Sequence, residues 1–383
     1  MKAFVFGNAR YGVATMVGTI IGVGIFGLPY AASKAGFFTQ LFYLGLFTGV
    51  FMVLHLMLGE VMLRTTERHR LAGYVGVYFG EAAKKFIELI IVVGTLGGML
   101  AYLLVGGLFL RTLTGGALGT IEQYYIIFWA VMSFILFSGL KMVERIETVM
   151  LVFMMAIIAL LFVASGPLVD VSNLTFSIPE NFFFPYGITL FALAGTAAIP
   201  IVRDILKNEE RKIKKTIILG TLIPAVLYTI FIFSVVGVTG AGTSEDALTG
   251  LSGILGRPLI LIGALFGLLV VATSYIVFGL YLKDTLWYDF NIHRKVALWF
   301  VLAAPLALVL FQPASFIEII SILGAIFGGT EAIFIILTFR RARRHGDRVP
   351  EYQLKIHPAI PYLLVVLFMF GIVYTLVGGK LNL

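Results

Sequence analysis

The chain has 383 residues, 60% hydrophobic and 13% charged, with a formal net charge of +8 and no cysteine, and a mean hydropathy of +1.02. A soluble domain carries roughly 25% charged residues, so lipid must be the solvent for most of this chain, which reads as an integral membrane protein. The positive balance therefore has meaning only by position relative to a bilayer and does not point to nucleic acid, and the missing cysteines exclude disulfides and thiolate metal sites.

Eleven apolar segments follow one another near residues 11–35, 39–63, 86–113, 122–140, 148–166, 183–206, 215–240, 258–282, 296–311, 314–338 and 358–378. Each is long enough to cross a hydrocarbon core of about 30 Å with some tilt. The first is too long for the apolar core of a cleavable signal, so none is expected. With the N-terminus in the cytoplasm, only Lys34, Arg111, Arg257 and Lys380 of the 28 lysines and arginines fall outside. That asymmetry supports eleven spans, a cytoplasmic N-terminus and an outer C-terminus in the plasma membrane.

The first span contains Gly18-Thr19-Ile20-Ile21-Gly22-Val23-Gly24-Ile25-Phe26-Gly27-Leu28-Pro29. Glycine costs roughly 1 kcal/mol and proline roughly 3 relative to alanine inside a helix, so this helix is expected to break. A break in hydrocarbon survives only where its freed backbone groups line a cavity or meet a ligand. In the sixth span Gly195-Thr196-Ala197-Ala198-Ile199-Pro200 repeats the spacing of Gly24 to Pro29. Matched interruptions in two halves are the mark of inverted-repeat transporters. At each break the second half-helix offers free N–H groups and the first offers free carbonyls, a pairing that suits the carboxylate and ammonium of an amino acid.

Between the spans, residues 71–86 set Tyr74, Val75, Tyr78 and Phe79 beside Glu81, Lys84 and Lys85, which reads as a short interfacial helix. Thr243-Ser244-Glu245-Asp246 has capping-box spacing and is expected to open a short outer helix ending near Gly256. The Arg340–Arg344 cluster anchors a helix end at anionic lipid. Gly94 with Gly98, Gly263 with Gly267, and Gly324 with Gly328 read as close helix packing.

No enzyme signature is present. The chain lacks a Gly-x4-Gly-Lys-Ser/Thr loop for ATP and a His-Glu-x-x-His zinc pair. Tyr288-Asp289 has no Gly-x-Gly-Asp partner and reads as a loop pair.

Ile21-Gly22-Val23-Gly24-Ile25-Phe26-Gly27-Leu28-Pro29 resembles the first-helix signature of the amino acid, polyamine and organocation superfamily. Ala101-Tyr102-Leu103 through Gly107, Lys207 through Tyr228, and Thr273-Ser274-Tyr275 through Lys283-Asp284 are similar to its amino acid/auxin and aromatic amino acid permease branches. The resemblance implies a LeuT-type fold: one all-α transmembrane domain, with inverted repeats of five spans at about 10–166 and 183–338 and an added helix at about 358–378. It implies that Gly22, Val23 and Gly24 hold a substrate carboxylate, that carbonyls near Ile20, Phe191 and Ala194 receive the amino group, and that Tyr102, Gly195 and Thr196 complete the site. Val23, Ala194 and Thr196 bring no charge there, which favours a neutral apolar or aromatic substrate.

The coupling ion stays open between two sets of residues. Thr273 and Ser274, with Val270 and first-span carbonyls at Gly18 and Ile21, match the sodium position of relatives; Thr273 also has the simpler role of bonding its own helix. Glu60, Glu318 and Glu331 are intramembrane carboxylates and so candidates for proton coupling, with Glu60 also placed to pair with Arg64 one turn on. One charge falling through 100 mV yields about 2.3 kcal/mol, enough for roughly 50-fold accumulation. The expected protein is a monomeric importer of neutral amino acids working by alternating access, driven by sodium or else by protons. It needs no cofactor beyond such an ion. A channel or a non-transporting sensor on the same fold is the rival reading.

Overall fold

The computed structural model describes residues 8–138, 143–288, 290–311 and 314–378. Lys2, Lys141, Lys380 and the two chain ends, to which an orientation was assigned above, lie outside them, as does Asp289 of the loop pair. Every regular element among the described residues is helical. Eight helices are long and apolar enough to cross a membrane, and a bent pair makes a ninth; two shorter apolar stretches, Ile121–Phe137 and Val152–Leu168, fall where the fourth and fifth spans are expected.

The first span is broken. Helix α1 runs Ala9–Ile20 and α2 runs Gly24–Ala35, inclined to each other by 53°. The break therefore falls at residues 21–23, and Pro29 lies inside α2 instead of at the interruption. The chain then gives α3 (Phe37–Arg64), the short α4 (Leu71–Phe79) where an interfacial helix was expected, α5 (Glu81–Thr114), α6 (Ile121–Ser138) and α7 (Val143–Ser165). The sixth span is also in two pieces, α8 (Pro185–Leu193) and α9 (Ala198–Ile205). There follow α10 (Ile213–Thr239), α11 (Arg257–Tyr288), α12 (Arg294–Phe311), α13 (Phe316–Ile322), α14 (Gly329–His345) and α15 (Ala359–Gly378), with a π-helical stretch over Leu323–Gly328 joining α13 to α14.

The outer segment departs from expectation. Residues 243–246 form no helix start, and two 3₁₀ turns, Gly240–Gly242 and Thr249–Leu251, are the regular structure between α10 and α11. The Asp246 carboxylate accepts from Ser244 Oγ and from the Thr249 N–H, so it closes a loop around itself. The Ser-x-x-Glu capping box sits instead at Ser315 and Glu318, where it opens α13.

Packing sets the two broken spans back to back, α1 against α9 and α2 against α8, with α10 lying along both α1 and α2. Helix α8 crosses the π-helical stretch closely enough that a side chain at Gly324 would meet the backbone of Gly187 and Phe191, so Gly324 serves packing as expected, whereas a Cβ at Gly328 would meet only the Leu323 carbonyl of its own stretch. The α5–α11 pair forms the other wall.

The two ends of the bundle differ in kind. At one end Glu60 accepts from Arg64 Nε at 2.8 Å, Arg343 Nε at 2.9 Å and the Leu354 N–H at 2.6 Å, while Arg203 reaches the Thr65 carbonyl and the Tyr74 hydroxyl. Arg68 pairs with Asp204 and Arg348 with Glu210 at this charged end. The opposite end is tied by backbone, Ile178 N–H to the Ala35 carbonyl and Asp170 N–H to that of Gly237, both at 2.9 Å.

Candidate substrate and ion site

The first break leaves donors without acceptors. Ile21 N–H still bonds the Val17 carbonyl at 2.9 Å, whereas Gly22 N–H turns to Ile20 at 3.0 Å, and α2 starts with short-range bonds from Ile25 to Gly22 and from Phe26 to Val23. The N–H groups of Val23 and Gly24 have no backbone partner, as the first turn of a helix requires. Gly24 is fixed by close approach: a Cβ there would lie 2.7 Å from the Ala192 Cα of α8. Gly22 faces Tyr102 of α5, whose hydroxyl would stand 3.0 Å from a Cβ at that position.

The second break repeats the pattern. Ala194 N–H folds back to the Phe191 carbonyl at 3.2 Å, and α9 begins with Ala198 bonded to Gly195 at 3.1 Å and Ile199 to Thr196 at 3.3 Å. The N–H groups of Gly195, Thr196 and Ala197 have no backbone partner. Gly195 is buried against Ile20 of α1, while Ala194 and Ala197 on either side of it are exposed. The expected residues Ile20, Gly22, Val23, Gly24, Tyr102, Ala194, Gly195 and Thr196 thus belong to one neighbourhood. Phe191 is partly buried at the end of α8, with its N–H facing Gly324.

Tyr228 of α10 bridges the two breaks. Its hydroxyl lies 2.9 Å from the Ile20 carbonyl and 2.8 Å from that of Ala192, so its one proton is shared between the freed ends of two half-helices. A fully buried tyrosine needs a partner for its hydroxyl, and a lone tyrosine in the apolar segment 215–240 was the available signal. His55 of α3 was also passed over. The Thr221 hydroxyl donates to Ile217 and accepts from His55 Nδ1 at 3.0 Å. This leaves Nε2 as a bare acceptor, buried and without a partner, on a ring whose Cε1 would lie 3.3 Å from a Cβ at Gly195.

Among the three carboxylates, only Glu331 reaches a break. It stands on α14 just beyond the π-helical stretch and accepts from the Thr196 hydroxyl at 3.3 Å. Glu60 is fully buried and saturated by its arginines and Leu354, which includes the expected pair with Arg64. Glu318 caps α13, taking the Ser315 N–H at 2.6 Å.

The residues expected to hold sodium are less convergent. The Thr273 hydroxyl bonds its own helix, at 3.0 Å to the Val270 carbonyl and 3.2 Å to that of Leu269. Ser274 meets the Tyr102 hydroxyl. A Cβ at Gly18 would find open space, and Ile21 is buried. No group of three or more histidine or acidic side chains placed to hold a metal ion exists among the described residues.

Two hollows flank Tyr102 along α5. The larger, about 610 Å³, is lined by Leu104, Leu108, Tyr125, Glu245, Asp246 and Phe316. There burial raises the Glu245 carboxyl above its ordinary range, opposed by the Ile317 N–H and reinforced by Glu318 and Asp246. The smaller, about 350 Å³, lies at the charged end between α4, α5 and α11. Between them Phe278 packs edge-on to Tyr102, ring centroids 5.2 Å apart, and covers Gly98, where a Cβ would lie 2.6 Å from its ring.

A helical membrane bundle in which two broken spans lie back to back, each offering unpaired backbone donors, has the architecture of the LeuT-type secondary transporters. Solved structures bear this out. The chain is similar to MhsT, solved in complex with L-phenylalanine, at a TM-score of 0.71 and 14% identity, covering 96% of this chain and 97% of that one. It is also similar to Mhp1, a nucleobase-cation-symport-1 family transporter solved in a closed conformation with bromovinylhydantoin bound. Here the TM-score is 0.65 at 15% identity, covering 95% of this chain and 90% of that one. The chain belongs to the tryptophan/tyrosine permease family, whose model matches residues 8–378. It is a secondary transporter of amino acids and not an enzyme. No curated protein sequence matches it.

Proposed function

We infer that this protein imports tryptophan, tyrosine or a similar neutral aromatic amino acid across the plasma membrane by alternating access, as a monomer of two inverted five-span repeats with its charged end in the cytoplasm. It is a member of the aromatic amino acid branch of its superfamily. The observation that carries this reading is the pair of breaks with free N–H groups at Val23 and Gly24 and at Gly195–Ala197, joined by Tyr228. These donors and dipole ends favour a carboxylate, and the Ala194 carbonyl favours an ammonium, the Ile20 carbonyl being taken by the Gly22 N–H and the Tyr228 hydroxyl. The family and the L-phenylalanine bound to MhsT support an aromatic side chain. Spans one and six rock against a scaffold of spans three, four, eight and nine, opening the two hollows in turn.

The coupling ion in this reading is the proton, carried by Glu331. Its contact with Thr196 ties it to the substrate break, so its charge and the substrate are linked through one segment. Sodium at Gly18, Ile21, Val270, Thr273 and Ser274 is the second reading, favoured by the meeting of Ser274 with Tyr102 and opposed by the commitment of Thr273 to its own helix.

The test is uptake of labelled tryptophan, tyrosine, leucine and arginine into proteoliposomes, with proton and sodium gradients imposed separately. Concentrative uptake of the aromatic substrates under a proton gradient is expected. Uptake indifferent to both gradients, or confined to arginine, overturns the reading.

A further inference from the structure

The smaller hollow holds more chemistry than an exit passage requires. Arg70, Lys84, Glu88 and Asp284 line it, so it carries charges of both signs; Lys84 pairs with Glu88 at 3.6 Å, and Asp284 with Lys283 outside the lining at 3.3 Å. Arg70 lays its guanidinium over the Tyr281 ring, 4.8 Å to the centroid. Arg70 lines the hollow and is exposed, so its N–H donors are hydrated and open to a ligand. Thr285 is the second and independent observation. It lines the hollow, is only 3% exposed, and its hydroxyl has no hydrogen-bond partner. A helical threonine ordinarily bonds the carbonyl a turn before it, and a buried hydroxyl left unpaired is destabilising. A group arranged this way is poised for a ligand.

We propose that this hollow is a second amino acid subsite, at which the substrate's carboxylate is taken by Arg70 and Thr285 and its ammonium by Glu88 and Asp284 on the way to the cytoplasm. The proposal rests on the transport reading above. The hollow's volume, about 350 Å³, is enough for one amino acid, and a zwitterion matches a lining that carries Arg70 and Lys84 beside Glu88 and Asp284. The subsite lies below the Phe278 ring that closes the α5–α11 seam under Tyr102. It is therefore reached from the charged end while the central site is shut. Its occupancy makes the transporter sense cytoplasmic substrate: the internal half-saturation concentration depends on residues that the external one does not touch.

The test compares labelled L-tryptophan influx with efflux from preloaded proteoliposomes of phosphatidylcholine alone, a lipid that keeps anionic headgroups out of the hollow. For Arg70→Gln the ratio of internal to external half-saturation concentration is expected to rise about tenfold, the loss of one charge-assisted bond. Thr285→Val keeps the shape and breaks no bond within the protein, so it folds even if the arginine variant does not, and the ratio should rise about threefold. A wild-type ratio in Thr285→Val and in any folded Arg70→Gln overturns the subsite while leaving the transport reading intact. A wild-type protein that carries L-tryptophan in neither direction overturns both.

Discussion

Glu60 and Glu331 are both carboxylates in apolar segments, and their surroundings are opposite. Glu60 sits on α3 with no exposed side-chain surface and accepts from two arginines and a backbone N–H. Glu331 sits on α14 with one hydroxyl, Thr196, drawn from a segment that has lost its helical bonding. A carboxylate held by two arginines and a backbone N–H acts as a joint; one whose hydrogen bond comes from a broken helix is coupled to whatever that break does. The contrast separates the part of the molecule that must not move from the part that must.

Glu60→Gln should show the largest effect. It leaves Arg64 and Arg343 without their counter-charge, and the cost of breaking such a pair is about 3 kcal/mol, read as a lowered unfolding temperature in detergent. If this variant is as stable as the wild type and loses only coupling, the contrast collapses. Glu331→Gln should leave stability near that of the wild type and remove concentrative uptake, forfeiting about 2.3 kcal/mol of driving force per 100 mV. Exchange of internal for external tryptophan should persist, and its loss together with concentrative uptake would make Glu331 a structural group like Glu60. Tyr228→Phe sharpens the comparison from the other side of the breaks. Removing a hydroxyl that serves Ile20 and Ala192 should cost about 1 kcal/mol, seen as a fall of several-fold in kcat/KM for uptake. Thr273→Ala should do least, below about 0.5 kcal/mol, because its hydroxyl bonds its own helix. A selective loss of sodium stimulation in that variant would restore the sodium reading.

What the sequence made legible follows from range. The break at Gly22–Gly24, its partner at Gly195, the short α4 and the glycine packing at Gly98 and Gly324 are local patterns, and each was readable from residue type and spacing. Glu60 was readable only in part: Arg64 is one turn away, but Arg343 and Leu354 come from the far end of the chain. The same limit hid Tyr228 and His55, whose partners lie on other helices. The outer loop failed for another reason. Thr243–Asp246 and Ser315–Glu318 carry the same capping spacing, yet only the second precedes an apolar run able to continue as a helix. The π-helical stretch that brings Glu331 to the break has no local signature in Leu323–Gly328 beyond its glycines.

The central claim is that an amino acid is held by the freed backbone between the two breaks. Because the chain has no cysteine, a single Ala194→Cys, at an exposed position in the second break, can be followed by its rate of alkylation. L-tryptophan is predicted to slow that reaction, with half-protection at the concentration that half-saturates uptake. Alkylation unchanged by saturating tryptophan in a variant that still transports it would contradict the account.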